Sequence, residues 1–121
     1  MKLKSTLPTV LLAIVGTVQL FVPATPAEIA PRRIEVIARR FQYTPAEITL
    51  KKGQPVLFVL SSIDTTHGLQ VKELGLDTKI RKGQTTELIF TPDKTGTFVG
   101  HCSVFCGEGH GSMTLTLHIV E

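Results

Sequence analysis

Residues 102–113 concentrate the soft metal-binding side chains of this sequence in one short segment. Cys102 and Cys106 are the chain's two cysteines, and His110 and Met113 follow them at spacings of four and three residues. Thiolate and thioether sulfurs are soft ligands that select copper among other metals, and imidazole also suits copper. The residue types and their spacing therefore predict a copper site in this segment.

A fifth candidate ligand, His67, lies far upstream of this segment. It ends the polar turn of residues 61–66 and opens a short apolar stretch, residues 69–71. Two sheets packed face to face could bring this turn beside the cysteine segment at one end of the molecule. We therefore predict that His67 supplies the second imidazole.

The remaining two histidines are predicted to point away from the metal. Alternate residues of a strand face the same way, so a final strand over residues 113–120 that turns Met113 inward must turn His118 outward. His101 directly precedes Cys102 and points opposite to it in an extended chain. We expect His118 at the surface, and His101 at the surface or beside the ligands.

Three alternatives to a copper site stay open for the cysteine segment. Its candidate ligands fall at helical spacing, although Gly107, Gly109 and Gly111 would together cost a helix about 3 kcal/mol. The two cysteines could form a disulfide, as is usual in exported proteins, although closing so short a loop stabilises little. A different metal is the third alternative: zinc accepts two Cys and two His but rarely a thioether, and iron–sulfur clusters usually require four thiolates.

The first 27 residues have the layout of a secretory signal. Two lysines precede a largely apolar run over residues 7–22, and small residues and prolines follow. Such a segment is either a signal peptide cleaved after Ala24 or Ala27, or an uncleaved anchor through which the protein associates with a membrane. In both cases the protein is exported, to the periplasm or to the outer face of the cytoplasmic membrane.

The chain beyond this leading segment carries almost no net charge. The full sequence has 13 basic and 10 acidic side chains, and leaving out the two leading lysines gives 11 against 10. This balance excludes a general nucleic-acid-binding surface. Four arginines are close in sequence and are expected on a solvated strand face or a charge-protected sheet edge, the alternative being a docking surface for an acidic partner or anionic lipid: Arg32, Arg33, Arg39 and Arg40.

From residue 32 onward, short stretches with strand periodicity alternate with turns rich in Gly, Pro and polar residues. The strand-like stretches are residues 32–38, 48–50, 56–60, 69–71, 85–91, 97–99 and 113–120. Short strands at such regular spacing predict an all-β sandwich or barrel. The 121 residues suffice for one domain, which we place at residues 32–121.

The ligand pattern resembles that of the cupredoxins and, among them, the CuA domain of cytochrome c oxidase subunit II in its short, bacterial ba3-like form. The likeness covers residues 34–121, with residues 41–45 and 67–71 among the matching stretches. It implies a Greek-key β-sandwich and a copper centre that also uses the backbone carbonyl of Val104. The full set of metal-binding residues it implies is His67, Cys102, Val104, Cys106, His110 and Met113.

In that family two thiolates bridge two copper ions, each copper binds one imidazole, and the thioether and the carbonyl are weak axial ligands. The resemblance therefore implies a one-electron carrier that is not itself an enzyme. It would be free-standing or the donor subunit of a terminal oxidase, with a cytochrome or an oxidase subunit as redox partner. The alternative function is copper handling, in which a periplasmic protein buffers or delivers copper.

Overall fold

The computed structural model describes residues 2–4, 6, 8–24 and 30–121. Strands and two short 3-10 turns make up the folded part of the described chain, which contains no α-helix. The strands are β1 (Arg32–Arg39), β2 (Gln42–Thr44), β3 (Glu47–Lys51), β4 (Val56–Ser62), β5 (His67–Val71), β6 (Leu76–Ile80), β7 (Thr86–Phe90), β8 (Gly96–His101) and β9 (Thr114–Val120). The prediction of an all-β domain is confirmed.

The strands of the described chain form two sheets. The first has the order β2-β1-β4-β7, and the second has the order β3-β9-β8-β5-β6. The pairs β1–β4 and β3–β9 are parallel, whereas the other neighbours are antiparallel. Strand β9 therefore lies inside the second sheet, between β3 and β8.

The inward faces of the two sheets form one core. Every second residue of β1 is buried from Ile34 onward, and β9 buries Leu115 and Leu117 completely. This alternation is typical of strands that have one face on a core and the other in water. It confirms that the two-residue periodicity of the sequence marks strands, and it places Met113 on the core side, as predicted.

Two strands and both 3-10 turns were not predicted from the sequence. Strand β2 is only three residues long, and β6 follows a 3-10 turn at Lys72–Leu74 that ends at Gly75 with a φ of 67°. This left-handed backbone conformation favours glycine. The second 3-10 turn, His110–Ser112, lies within the cysteine segment, so β9 begins at Thr114, one residue later than predicted.

The described part of the leading segment, up to residue 24, contains neither helix nor strand. Among the described residues, no helix has the length and the apolar character needed to cross a membrane. Of the two predicted cleavage positions, the one after Ala27 lies outside the described residues. The boundary between the leading segment and the domain stays a prediction.

The topology brings three chain segments together at one end of the sandwich. Strand β8 is antiparallel to both β5 and β9, so its end lies beside the start of β9, and the chain that follows it continues toward the start of β5. His101, the last residue of β8, is paired with Gln70 on one side and with Thr114 on the other. The candidate ligands lie at this end.

Candidate metal centre

His67 is the first residue of β5 and is fully buried. The turn before it is ordered by local side-chain contacts: the Ser62 hydroxyl donates a hydrogen bond to the Thr65 carbonyl, and the Thr65 amide donates to Asp64 Oδ1 at 2.7 Å. Hydroxyl and carboxylate side chains commonly bond to nearby backbone in turns. This turn directs the imidazole into the molecule, toward the cysteine segment.

The cysteine segment is a loop between β8 and β9 that is closed at its base. The Cys102 amide, just after β8, donates a hydrogen bond to the Met113 carbonyl, just before β9, at 3.3 Å. Between them the 3-10 turn begins at His110 and is stabilised by bonds such as His110 N–H to Gly107 O at 3.1 Å. The side chains of Cys102, Cys106 and Met113 are all buried.

The donor atoms of the predicted ligands form two neighbouring groups, the two halves of the site, one around each cysteine sulfur. The two Sγ atoms of Cys102 and Cys106 are 3.6 Å apart. His67 Nδ1 lies 3.9 Å from Cys102 Sγ, and His110 Nδ1 lies 3.8 Å from Cys106 Sγ. Each sulfur therefore has an imidazole nitrogen of its own.

The two weaker donors are divided between the halves in the same way. The Val104 carbonyl oxygen is 3.1 Å from Cys102 Sγ, and Met113 Sδ is 4.0 Å from Cys106 Sγ. The structure thus brings all six residues predicted from the sequence together, four of them buried and two, Val104 and His110, partly buried. Two cysteine sulfurs, two imidazole nitrogens and a thioether form a donor set that fits copper, because thiolate, thioether and imidazole are its preferred ligands.

Neither a helix nor a disulfide accounts for the cysteine segment. Outside the 3-10 turn it has no helical residues in the structure, so the spacing of its ligands is not a helix stripe. Both cysteines are free thiols, and their separation of 3.6 Å is well beyond the ~2.05 Å of a disulfide bond. Their positions leave both sulfurs available as ligands.

Asp64 fixes the orientation of the buried His67 ring. Its Oδ1 is 2.7 Å from His67 Nε2, which leaves Nδ1 directed at Cys102. Burial raises the pKa of Asp64, but hydrogen bonds from the Arg40 amide, the His67 ring and the Thr65 amide outweigh it and lower the pKa to about 2. Asp64 is therefore ionised at neutral pH, as expected of a carboxylate that orients a metal-binding histidine.

A backbone amide also contacts one of the sulfurs. Gly68 N–H points to Cys102 Sγ at 3.5 Å, and the hydroxyl of the buried Tyr43 donates to the Gly68 carbonyl. A side chain at position 68 would overlap the hydroxyl of Ser103, so the close approach of these two segments requires glycine. Hydrogen bonds to thiolate sulfur are one means by which proteins adjust a redox potential.

The Cys106 thiol has to lose its proton before it can bind a metal ion. Burial, together with the adjacent Cys102, raises the pKa of the Cys106 thiol above its ordinary value. Only the thiolate is a good metal ligand. Metal binding must therefore displace the proton of Cys106, and the favourable sulfur–metal bond must outweigh that cost.

The two histidines that were not predicted as ligands lie away from this cluster. His101 is exposed, and the partly exposed His118 has its Nε2 3.7 Å from Glu47 and its Nδ1 3.3 Å from the Thr97 hydroxyl. These positions agree with the prediction that His118 faces outward and that His101 is a surface residue. The four clustered arginines are exposed as well, on β1 and the turn after it.

Sequence reasoning missed two residues that support the ligands, Asp64 and Arg40. Asp64 stands three positions before His67, a spacing that could have suggested a contact within a turn. Arg40 donates from Nε to the Cys106 carbonyl at 2.8 Å across 66 residues of sequence, and no local pattern signals such a bond. The sequence pattern predicts a solvated face for all four clustered arginines. Arg40 departs from that expectation, because its side chain contacts the cysteine segment.

Known proteins share both the sequence pattern and the fold of this chain. Residues 10–115 match the family described as "Cupredoxin-like domain". The chain belongs to this family. The cupredoxin-like chain is also homologous to cytochrome c oxidase subunit 2: it is 37% identical over 72 residues to a Streptomyces coelicolor protein described as "Probable cytochrome c oxidase subunit 2". That match covers 60% of this chain and 23% of the relative.

A second relative is shorter. "Cytochrome c oxidase subunit 2" of Thermus thermophilus is 27% identical over 88 residues, a match that covers 73% of the cupredoxin-like chain and 65% of the relative. The matches thus span between about a quarter and two thirds of the length of these relatives.

Among solved structures, the periplasmic domain of subunit II of cytochrome oxidase from Bradyrhizobium japonicum has a TM-score of 0.68 to this chain. The superposition covers 78% of this chain and 88% of that one at 18% sequence identity. At this identity the likeness shows a shared fold. It supports the two-sheet architecture derived above from burial and strand pairing.

Proposed function

We propose that this domain is a one-electron carrier with a binuclear copper centre of the CuA type. Two copper ions held here would take up and release one electron while sharing its charge. His67, Cys102, Cys106 and His110 would be the strong ligands, and the Val104 carbonyl and Met113 the weak ones. The donor set contains no vacant position meant for a substrate, so the domain would pass electrons without converting a molecule itself.

The division of the donors into two halves carries this proposal. Each sulfur has one imidazole nitrogen within 3.9 Å, and the sulfurs are 3.6 Å from each other. Two thiolates at this separation can bridge two metal ions that each bind one imidazole, and a single tetrahedral ion is the alternative that the copper stoichiometry tests. Because the donors already lie together and most of them are buried, they would change position little when the charge of the centre changes, which would favour fast electron transfer.

The first test is the amount of copper bound. We expect the purified chain, reconstituted with Cu(II), to bind two copper ions, because two thiolates can bridge and two imidazoles can each serve one metal. Metal analysis gives the stoichiometry. After one reducing equivalent per copper pair has been added, electron paramagnetic resonance should show hyperfine splitting from two equivalent copper nuclei that share one unpaired electron.

Different outcomes would identify different functions. One copper ion per chain, with splitting from a single nucleus, would contradict the binuclear centre. One labile Cu(I) ion without visible absorption would instead indicate copper buffering or delivery. Zinc bound in preference to copper would exclude an electron carrier, because zinc is not redox-active.

Replacing Met113 with leucine should change the reduction potential and keep both copper ions. A thioether is a weak axial ligand, and the character of the axial ligand is one of the ways a protein adjusts a copper potential. Leucine has nearly the volume of methionine, so the buried position should lose less than about 1.5 kcal/mol of stability. Voltammetry of both proteins, each checked for full copper content, measures the shift. Identical potentials would mean that Met113 acts only as a core residue.

We further propose that the domain acts outside the cytoplasm with a redox protein as donor and another as acceptor. The apolar leading segment supports export and membrane association, and the homology to oxidase subunit 2 supports a terminal oxidase, or a cytochrome that feeds it, as a partner. The exposed aromatic ring of Phe105, between the two cysteines, offers a surface close to the centre for such a partner.

A further inference from the structure

The turn between β1 and β2 contacts both segments that carry the candidate ligands. The backbone amide of Arg40 donates a hydrogen bond to Asp64 Oδ2 at 2.6 Å, and the other oxygen of that carboxylate contacts His67 Nε2. The side chain of Arg40 donates from Nε to the Cys106 carbonyl oxygen at 2.8 Å. One residue thus links the His67 turn to the cysteine segment.

The next residue of the turn packs against the same segment. A Cβ atom at Gly107 would lie 2.9 Å from Cζ of Phe41, and one at Gly109 would overlap the Phe41 ring. The backbone of the cysteine segment therefore rests directly on this ring. Both glycines are explained by that contact, since any larger residue would push the segment away from the turn.

The backbone hydrogen bonds of the cysteine segment itself are short-range or at its base. Three of them, His110 to Gly107, Ser112 to Gly109 and Met113 to His110, span three residues each. Such bonds shape the 3-10 turn without fixing the position of Cys106 relative to His67. The bond from Arg40 comes from a different part of the fold and joins a charged donor to a backbone carbonyl, a type of bond that is stronger than one between neutral groups.

We propose that Arg40 and Phe41 form a brace that holds the two halves of the centre at their working separation. The inference rests on the proposed copper function, but the brace consists of contacts within the chain and exists before metal binds. Arg40 and Phe41 are positioning residues: they act through Asp64, Cys106 and the loop backbone. Without the brace the cysteine segment should move more freely relative to His67.

The test compares Arg40→Met with Arg39→Met in the full chain. Both changes replace an arginine by a neutral side chain of similar length, and Arg39, whose Nη2 contacts only the nearby Gln42, is the matched control. In the metal-free protein we expect the hydrogen-bonded amides of the cysteine segment, those of Cys102, His110, Ser112 and Met113, to exchange about tenfold faster in Arg40→Met and at an unchanged rate in Arg39→Met. The strands β3 and β9 should exchange as in the wild type.

The copper-loaded proteins give a second readout. Transfer of copper to a Cu(I) chelator should be about tenfold faster, or more, from Arg40→Met than from the wild type, as is typical when a group that orients a ligand is removed. The hyperfine splitting of Arg40→Met should also change. Arg40→Lys, which keeps a cationic donor near the Cys106 carbonyl, should release copper at a rate between the two.

Each result decides a separate question. If the hydrogen-bonded amides of the cysteine segment in metal-free Arg40→Met exchange at the wild-type rate, the brace is overturned, whatever the copper content. Faster exchange in all strands would also overturn it, because Arg40 would then contribute to general stability only. If the wild type binds no copper, the proposed function fails, and the exchange measurement alone decides whether the brace exists.

Discussion

Replacing either Cys102 or Cys106 with serine is expected to abolish the two-copper centre. Each sulfur lies within 4 Å of the other sulfur and of one imidazole nitrogen, so in the proposed centre each thiolate would serve both metal ions. A serine hydroxyl is nearly the same size, but it stays protonated at neutral pH and is a hard ligand that binds copper poorly. The domain itself should stay folded, at a cost of about 1–3 kcal/mol for a buried hydroxyl without a partner.

The measurements are copper content, visible absorption and paramagnetic resonance of each variant after reconstitution. His67→Ala should also bleach the centre, because it removes one of the two imidazoles. His101→Ala and His118→Ala serve as controls and should leave the spectrum nearly unchanged, since both histidines lie outside the cluster. If His101→Ala bleached the centre as fully as His67→Ala, the choice of the upstream ligand would be wrong.

Replacing Leu117 with alanine should lower the free energy of unfolding by about 2–5 kcal/mol. Leu117 is fully buried in β9, where it pairs with Ile48 of β3 and with Phe98 of β8. Truncating it leaves a cavity between the sheets that the surrounding strands fill only in part. Val120→Ala is the matched control: it removes an exposed side chain from the same strand and should change stability by no more than about 0.5 kcal/mol.

Denaturant unfolding of the metal-free proteins measures this difference. Copper should raise the midpoint of both variants, because a ligand that binds only the folded state stabilises it by mass action. The difference between the two variants should persist when copper is present, because each gains the same stabilisation as long as its copper affinity is unchanged. If metal-free Leu117→Ala and Val120→Ala had equal midpoints, β9 would not be part of the core in solution.

The sequence predicted the strands that show two-residue alternation or a short apolar run between turns, and it missed two that show neither. Strand β1 shows the pattern over eight residues and was recognised, whereas β2 has only three residues, too few for any periodicity to be seen. Strand β6 has apolar residues only at its two ends, Leu76 and Ile80, and its partner β5 fixes its register. Residues 42–44 and 76–80 therefore form strands because they pair with neighbouring strands, and such pairing cannot be read from a local sequence pattern.

The candidate site follows the same division between local and long-range information. The cysteine segment can be recognised from the sequence because its rare soft side chains have a regular spacing. The inward direction of the Met113 side chain follows from the alternation of β9. The geometry of the support does not follow from spacing. Arg40 was grouped with three solvated arginines, and only the fold reveals that its Nε reaches a carbonyl 66 residues away.

The place of β9 inside the second sheet has a consequence for biosynthesis. This strand is made after the cysteine segment, yet it pairs with β3, whose residues are made early. A growing chain that has already presented His67 lacks the strand that completes the sheet, and contacts between such distant segments form slowly. If the site binds copper as proposed, we therefore expect the metal to enter after the domain has been translated and folded.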